Sequence, residues 1–471
     1  MQNKHSRNGF SGQLGFVMAA AGSAVGLGNI WRFPYLAAKD GGGVFLIVYL
    51  VLVLTFGFTL LTSDIAVGRH TQKSPIEAYE TLKPGWGFLG KITFLVPAII
   101  MTYYAVIGGW VLKYVMTYFM GKGHAAASSS YFASFITSPV APIVYGLIFM
   151  IFTSLIVYRG VQNGVEKFSK VCMPILFFMI FAIAIFSLTL KHTENGVTRT
   201  GLQGLAVYMI PNFKGMTFGK FLSIALDAMS QLFFSLSVSM GIMVTYGSYV
   251  KKDVDLNYSI NMIEIFDTIV AFLAGLMIIP SIYVFAGTEG MASGPSLIFV
   301  SLPKVFNAMG VAGNIFGAVF FIMVTFAALT SCISVLETLV ADCTKLFHSS
   351  RKKTTLVLTV IYSAATVIIT LGYTIFYFEL KLPNGAVGQL LDLADYISNS
   401  VLMPITSLLS CVLIGWVVKP KLVIDEMELN GENFKRKSIY SAMVKYIAPV
   451  IMVVLFLQST GFWQWLSKIL H

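Results

Sequence analysis

The sequence has few charged residues for its length. Only 11% of its 471 residues are Asp, Glu, Lys or Arg, whereas 56% are hydrophobic, and the mean hydropathy is +0.79. A water-soluble globule of this size needs much more polar surface. The shortage of charge therefore excludes a soluble protein and indicates an integral membrane protein.

Cysteine and histidine are also scarce, with four and six residues. The cysteines lie within or at the ends of apolar runs, where they behave as small apolar side chains, so we expect no disulfide. The histidines are scattered, and no nucleophile–base pair or metal-spaced histidine cluster is visible. The sequence therefore does not indicate an enzyme.

What the sequence does contain is long apolar runs along nearly its whole length. Eleven are long enough to cross a hydrocarbon core of roughly 30 Å, which takes about 20 residues of helix, and they lack the alternation of barrel strands. The predicted spans are 12–36, 43–68, 88–120, 139–158, 165–190, 218–246, 258–285, 310–346, 354–378, 391–418 and 441–467. We predict an all-α membrane protein with a single domain over 1–471.

The net charge of +11 could suggest a nucleic-acid partner, but basic residues of membrane proteins collect in cytoplasmic loops. With the N-terminus inside, five basic clusters lie in the cytoplasm. They are Arg69/Lys73/Lys83, Arg159/Lys167/Lys170, Lys251/Lys252, Arg351/Lys352/Lys353 and Lys435/Arg436/Lys437. We expect membrane lipid and no nucleic acid as surroundings, and an odd number of spans places the C-terminus outside.

The first span is poorly suited to a regular helix. Its stretch AAAGSAVGLGNIWRFPY, residues 19–35, contains Gly22, Gly26 and Gly28, and glycine costs a helix about 1 kcal/mol relative to alanine. Small-residue helix packing is one explanation. Local unwinding is the other, and unwound backbone in a membrane is tolerated mainly at a binding site.

A second interrupted segment favours unwinding. QLFFSLSVSMG, residues 231–241, places serines and a glycine in the middle of the sixth span. Interrupted helices at matching positions of two halves indicate a transporter site between inverted repeats. We predict a five-plus-five inverted repeat, 12–190 and 218–418, with spans 1 and 6 unwound at the membrane midplane and 441–467 as an additional helix.

Several motifs resemble the neurotransmitter:sodium symporter family, in its bacterial branch with the leucine transporter fold. The matching pieces are AGSAVGLGNIWRFPYLAAKDGGGVFLIVYL, YYAVIGGW, QLFFSLSVSMG, TYGSYV, GPSLIFVSLP and FAALTSCIS, and the likeness covers about residues 7 to 418. It implies sodium-coupled uptake of an amino acid by alternating access, in the plasma (inner) membrane of a bacterium.

The resemblance implies two sodium sites, with one or two ions bound. The first would use the Ala24 carbonyl, Asn29, Ser235 and Asp267. The second would use carbonyls of Gly22, Val25 and Ala327 with the hydroxyls of Thr330 and Ser331. Asp267 is an ionisable residue inside a predicted span, and such residues are functional by default, although an acid at a helix end can reach the membrane surface, as Glu264 could.

Asp267 also bears on chloride. Relatives that require chloride place an anion near this position among neutral ligands, whereas here a fixed carboxylate would compensate the sodium charge. We therefore predict that chloride is not needed.

The resemblance also implies which residues hold an amino acid zwitterion, both of whose charged ends must be satisfied when buried. The residues are Ala24, Leu27, Gly28, Ile100, Tyr104, Phe234, Ser235, Ser237, Met240, Ser331 and Val335. The side-chain pocket has no fixed charge, and Met240 is an adaptable side chain. We predict a neutral, hydrophobic or aromatic substrate.

Two gates follow from the same resemblance. Arg32 and Asp395 match an outer ion pair, for which a purely structural salt bridge is the alternative. Arg7 matches the inner arginine, but its usual aspartate partner is Lys345 here, and Asp342, one helical turn earlier, is a candidate to replace it. Two other functions stay open: a sensor of the same fold that binds without turnover, and a proton-coupled carrier in which Asp267 titrates.

Overall fold

A computed structural model describes residues 9–194, 196–290, 296–383 and 385–462. In this part of the chain nine helices are long and apolar enough to cross a membrane. They are Gly43–Thr71, Gly87–Phe119, Ala141–Tyr158, Val161–Thr189, Leu256–Ala286, Val311–Leu346, Arg351–Leu371, Leu390–Val417 and Lys437–Ser459. A further span is a bent pair, Gln13–Ala24 and Gly28–Lys39, with an angle of 52° between its halves.

The predicted span 218–246 is divided into Phe218–Leu236 and Ile242–Ser248. Counting by helix length and composition thus gives nine crossings, or ten with the bent pair, and the eleventh stays a prediction, as does the division into two repeats. We number the spans 1 to 11 in chain order, so that span 1 is the bent pair and span 6 is the divided one. The C-terminal part of the predicted 441–467 lies outside the described residues.

Short elements connect the spans. The helices are Pro75–Leu82, Gly123–Ala126, Tyr131–Ile136, Gly201–Met209, Thr288–Gly290, Leu297–Ser301, Leu302–Ala308 and Lys421–Met427. Two small antiparallel hairpins pair Lys191–Glu194 with Val197–Thr200 and Leu380–Lys381 with Val387–Gly388. Within the spans, π-helical turns occupy Gly28–Arg32, Val53–Gly57, Val161–Glu166, Tyr396–Leu402, Leu413–Val417 and Met443–Ile447.

Capping residues set where several spans begin. Thr217 accepts a hydrogen bond from the backbone of Lys220 at the start of span 6, and Asp255 does the same for Tyr258 at the start of span 7. Ser350 caps span 9. Each side chain satisfies a backbone N–H group that a helix leaves free at its first turn.

Glycines allow pairs of spans to pack backbone against backbone. A Cβ atom on Gly68 of span 2 would lie 2.0 Å from the carbonyl oxygen of Val244 in span 6, and one on Gly247 would lie 2.4 Å from the carbonyl oxygen of Ile65. Span 2 and the second half of span 6 therefore touch through small residues, the usual means of close helix packing in membranes.

A charged cluster joins the ends of spans 2 and 6 to the helix Lys421–Met427. The buried Glu426 carboxylate accepts from Arg69 Nε at 2.7 Å and lies 2.9 Å from Lys252 Nζ and 3.1 Å from His70 Nδ1. Arg69 is 1% exposed. One carboxylate thus binds side chains from two other segments, span 2 and the loop after span 6.

Candidate functional site

The break in span 1 depends on the size of its glycines. The first half ends at Ala24 and a π-helical turn begins at Gly28. A Cβ atom on Gly26 would lie 2.8 Å from the Ser331 hydroxyl oxygen, and one on Gly28 would lie 2.3 Å from a ring carbon of Phe234. These glycines therefore also let spans 6 and 8 approach the broken segment closely.

The break in span 6 is held by side chains from other spans. Ser237, Ser239 and Gly241 have φ values of 52°, 62° and 78°, a region that non-glycine residues seldom adopt. The Ser239 amide donates to Asp64 at 2.8 Å, and the Ser239 carbonyl accepts from Thr406 at 2.9 Å. Spans 2 and 10 thus satisfy peptide groups that have left the helix.

The first ion site was predicted to use the Ala24 carbonyl and the side chains of Asn29, Ser235 and Asp267. The three side chains form one cluster, with the Asp267 carboxylate at its centre. The carboxylate accepts from Asn29 Nδ2 at 2.8 Å and from the Ser235 hydroxyl at 2.7 Å, and all three residues are 0% exposed. Tyr49 lies beside this cluster. Its hydroxyl and the Gln231 amide oxygen are buried and have no hydrogen-bond partner among the described residues.

The residues predicted for the second ion site lie where spans 1 and 8 meet. All five are buried: Gly22, Val25, Ala327, Thr330 and Ser331. A Cβ atom on Gly22 would lie 3.4 Å from Thr330. The Thr330 hydroxyl donates to the Ala327 carbonyl of its own helix at 3.1 Å.

Ser23 is the junction of three spans. Its carbonyl accepts from the Ser237 hydroxyl at 2.9 Å and from the Ser331 hydroxyl at 3.1 Å. Because each donor comes from a different span, this carbonyl ties span 1 to spans 6 and 8 at the point where span 1 is broken.

A small cavity of about 30 Å³ lies between the broken segments. Its lining consists of Ser23, Gly26, Ile100, Tyr104, Phe234, Ser237, Met240, Ile242, Ser331, Val335 and Asn399. Seven of these were predicted as substrate contacts, while Ala24, Leu27, Gly28 and Ser235 are buried but do not line it. The volume holds about one water molecule, so the chamber is narrow in this conformation.

The predicted outer gate residues face a larger vestibule. Arg32 and Asp395 both line this cavity of about 530 Å³, but within the described structure they form no ion pair. Arg32 Nη2 donates to the Ser230 hydroxyl at 2.6 Å. Asp395 Oδ1 accepts from Tyr103 at 3.0 Å and from Asn399 at 2.7 Å. Each charge is thus held on its own side of the vestibule.

The predicted inner pair is only half visible, because Arg7 lies outside the described residues. Asp342 is 0% exposed, and its Oδ1 accepts from the backbone amide of Ile76 at 3.2 Å. Its Oδ2 is buried without a hydrogen-bond partner among the described residues. Asp342 therefore binds the start of the helix Pro75–Leu82, a contact that the sequence analysis did not consider.

Glu337, another acid on span 8, forms an ion pair with Arg351 near Asp342 on the same span. Glu337 accepts from Arg351 Nη1 at 2.7 Å and from the Tyr249 hydroxyl at 2.8 Å. Arg351 also donates to the Val157 carbonyl. Phe10 packs edge-on against Tyr249, with ring centroids 6.1 Å apart. Spans 4, 8 and 9 are thereby connected to the loop after span 6.

Sequence reasoning missed part of this site. It assigned no site role to Ser23, Ile242, Asn399 or Asp64, although all four lie in or beside the two cavities or the span 6 break. Asn399 had one available signal, since it follows Asp395 by one helical turn. The carbonyl of Ser23 had none, because a backbone contact leaves no mark on residue type.

The fold and the site together define a polytopic helical membrane protein of the transporter class, with two interrupted helices around a buried carboxylate. Comparison with known proteins agrees. The model of the sodium:neurotransmitter symporter family matches residues 7–132 and 137–466. The chain belongs to this family.

Individual relatives match over nearly their full lengths. An uncharacterized sodium-dependent transporter of Bacillus subtilis (strain 168) is 34% identical, covering 96% of this chain and 97% of the relative. One from Methanocaldococcus jannaschii is 30% identical, covering 97% and 91%. The crystal structure of MhsT in complex with L-phenylalanine superposes with a TM-score of 0.83 at 33% identity, covering 96% of this chain and 100% of MhsT.

Proposed function

We propose that this chain takes up a neutral, hydrophobic or aromatic amino acid together with sodium, by alternating access and without chloride. The family and its sodium-dependent members support sodium coupling in general. The substrate, the ion sites and the independence from chloride rest on the geometry described above. We place the chain in a bacterial inner membrane, with the N-terminus in the cytoplasm.

The observation that carries the proposal is the state of Asp267. It is fully buried, and within the described structure its hydrogen bonds come only from neutral groups, with no ion pair. A buried charge without a partner costs several kcal/mol. A cation with oxygen ligands would offset this cost, and the hydroxyl oxygen of Ser235 lies beside the carboxylate, whereas Asn29 turns its Nδ2 toward it.

The same geometry argues against a chloride requirement. A bound sodium ion is balanced by the negative charge of Asp267. A chloride ion beside that carboxylate would place two anions together in a region that excludes water, where like charges repel strongly. We infer that Asp267 takes the place of an external anion.

The lining of the small cavity supports a neutral amino acid. No Asp, Glu, Lys, Arg or His is among the described residues that line it. Ile100, Phe234, Met240 and Val335 offer an apolar surface, and Met240 can change shape to fit. MhsT, a relative of the same fold, was solved with L-phenylalanine, which fits a substrate of this kind.

The transport cycle would use the junctions between spans. Sodium and substrate would replace the hydrogen bonds missing at the two breaks, and the second ion would strengthen the contact of span 1 with span 8 at Ser23. Outer closure would bring Arg32 to Asp395, and release would begin at the second ion site. One charge moved through the membrane potential is worth roughly 2.3 kcal/mol per 100 mV.

Uptake into proteoliposomes tests the proposal. We expect radiolabelled phenylalanine to accumulate with an inward sodium gradient, both in chloride and in gluconate. Accumulation driven by a proton gradient without sodium would favour the proton-coupled carrier. Sodium-dependent binding without accumulation would favour the sensor, and either result would contradict the proposal.

Two variants test the ion sites. Asn29→Ala and Thr330→Ala should each raise the sodium concentration for half-maximal uptake by about tenfold, the loss of roughly 1.4 kcal/mol of binding. Thr325→Ala is a matched control, because its hydroxyl also donates to its own helix, at 2.8 Å from the Phe321 carbonyl, but belongs to neither site. Normal sodium dependence in both variants would overturn the assignment.

A further inference from the structure

Asn399 belongs to both cavities of the outer half. It lines the small cavity between the broken segments and also the vestibule above it. Among the described residues only Phe234 shares this position. A side chain that touches both spaces can respond to one and act on the other.

The amide group of Asn399 holds the acid of the proposed outer gate. Asn399 Nδ2 donates to Asp395 Oδ1 at 2.7 Å and lies 3.2 Å from the Tyr103 hydroxyl. Tyr103 donates to the same carboxylate oxygen at 3.0 Å. Two donors on one carboxylate oxygen satisfy much of its hydrogen-bonding capacity, and bonds to a charged acceptor are the stronger kind.

The partner charge is restrained in the same way. Arg32 donates to Ser230 at 2.6 Å, and its guanidinium carbon lies 6.0 Å from the centroid of the Phe234 ring. The ion pair would therefore compete with contacts that both charges already make. Phe234 and Asn399, the two described residues shared by the cavities, are the contacts that border the small cavity.

We propose that Asn399 is a positioning residue for the outer gate: together with Tyr103 it holds Asp395 away from Arg32 and thereby sets how readily the vestibule closes. This rests on the proposed function, in which Arg32 and Asp395 form that gate. The carbonyl oxygen of Asn399 is buried and has no hydrogen-bond partner in the described part of the chain, so only the NH₂ group of this amide is engaged. A ligand in the small cavity would act on Asn399 through this carbonyl oxygen.

The proposal predicts in which direction vestibule closure changes when Asn399 is replaced. Each bond to Asp395 stabilises the open vestibule and opposes the ion pair. Removal of the Asn399 amide should therefore favour closure, whereas loss of an ordinary substrate contact would weaken binding and leave closure alone.

Labelling of a vestibule cysteine measures closure without any substrate. Ser400→Cys places a thiol in the lining of the vestibule at a partly exposed position, and the four native cysteines are all buried. The full-length protein in lipid nanodiscs, in sodium, would be treated with a charged thiol reagent. In this background we expect Asn399→Ala to slow labelling by about fivefold, and Tyr103→Phe to slow it in the same direction.

Two further variants separate positioning from a general effect on structure. Gln458→Ala is the matched control, since that amide also lines the vestibule but, among the described hydrogen bonds, binds neither Asp395 nor Arg32, and it should label at the unmodified rate. In an Asp395→Asn background the effect of Asn399→Ala should disappear. Unchanged or faster labelling in Asn399→Ala, or the same slowing with Asp395→Asn present, would overturn the proposal.

Phenylalanine binding in sodium provides a second readout. A gate that closes more readily should lower the dissociation constant of Asn399→Ala by about fivefold, and an equal or raised constant would contradict the role of Asn399. If the unmodified protein binds no neutral amino acid, the proposed function is wrong. The labelling rates still decide the role of Asn399 in that case.

Discussion

Asp267 shows how much one residue can determine in a membrane protein. It is a carboxylate in a fully buried position, held by a serine and an asparagine, and the neighbouring Tyr49 hydroxyl has no hydrogen-bond partner in the described part of the chain. Such an arrangement is costly for the empty protein. A cation bound beside the carboxylate would offset this cost. The buried charge therefore favours the ion-bound protein over the empty one.

Replacement of this carboxylate should change the anion requirement. In Asp267→Asn the sodium charge is no longer balanced, so we expect uptake in gluconate to fall by about tenfold or more and to recover in part when chloride is present. The neutral donors Tyr49 and Ser235 would then face an anion. The measurement is uptake at equal sodium in chloride and in gluconate.

Glu264→Gln is the control for this variant. Glu264 lies one turn earlier on the same span but is paired with Arg436 at 2.8 Å, so its loss should affect both media equally. Equal uptake of Asp267→Asn in chloride and gluconate would contradict the idea that this carboxylate replaces chloride.

At the scale of elements, the broken spans are held in place by close contacts rather than by their own helices. The second half of span 6 is only seven residues long, too short to be stable alone. It lies against span 2, where Gly68 and Gly247 bring backbones together. Packing on span 2 gives the non-helical peptide between Ser237 and Gly241 a fixed support.

Gly68→Ala should disturb this support. The added methyl group would lie 2.0 Å from the Val244 carbonyl oxygen, and since backbone atoms cannot move aside cheaply, we expect a loss of about 2 kcal/mol in stability. The matched change Gly219→Ala meets nothing within 4 Å and should be neutral or slightly stabilising. Thermal unfolding of both variants provides the test, and equal midpoints would rule out the contact as a support.

For the molecule as a whole, one ion cluster holds distant segments together at the ends of spans 2 and 6. Burial alone would raise the pKa of Glu426, but hydrogen bonds from His70, Lys252 and Arg69 outweigh it and lower the pKa to about 2. The unfolded chain has a glutamate pKa of about 4.3. The cluster therefore stabilises the fold above about pH 4.3, and this contribution is lost as the pH falls toward 2.

Unfolding temperature should report this dependence. Between pH 7 and pH 3 the midpoint of the unmodified protein should fall, whereas Glu426→Gln should start about 3 kcal/mol less stable, because it leaves Arg69 buried and unpaired, and should lose less on acidification. Glu428→Gln, in the same loop but with an exposed lysine partner 3.3 Å away, is the control. Parallel pH profiles for Glu426→Gln and the unmodified protein would contradict this role.

The sequence was a good guide to elements and a partial guide to contacts. Hydropathy predicted ten of the helical spans that the structure describes, because each must cross the same thickness of hydrocarbon. Seven of eleven proposed substrate residues line one cavity. The partner of Asp342 and the pair Glu337–Arg351 were not predicted, since the acids of one helix face look alike until their neighbours are known.

By itself the amino-acid sequence determined that this chain lies in a membrane, where its helices run, and where spans 1 and 6 are weak, because hydropathy and glycine content act locally. Only the tertiary structure decided which groups meet at the breaks: Asp64 on the peptide of Ser239, the Ser23 carbonyl between two hydroxyls, and Asn399 on Asp395. Those contacts join residues far apart in the chain, and their geometry depends on how the helices cross.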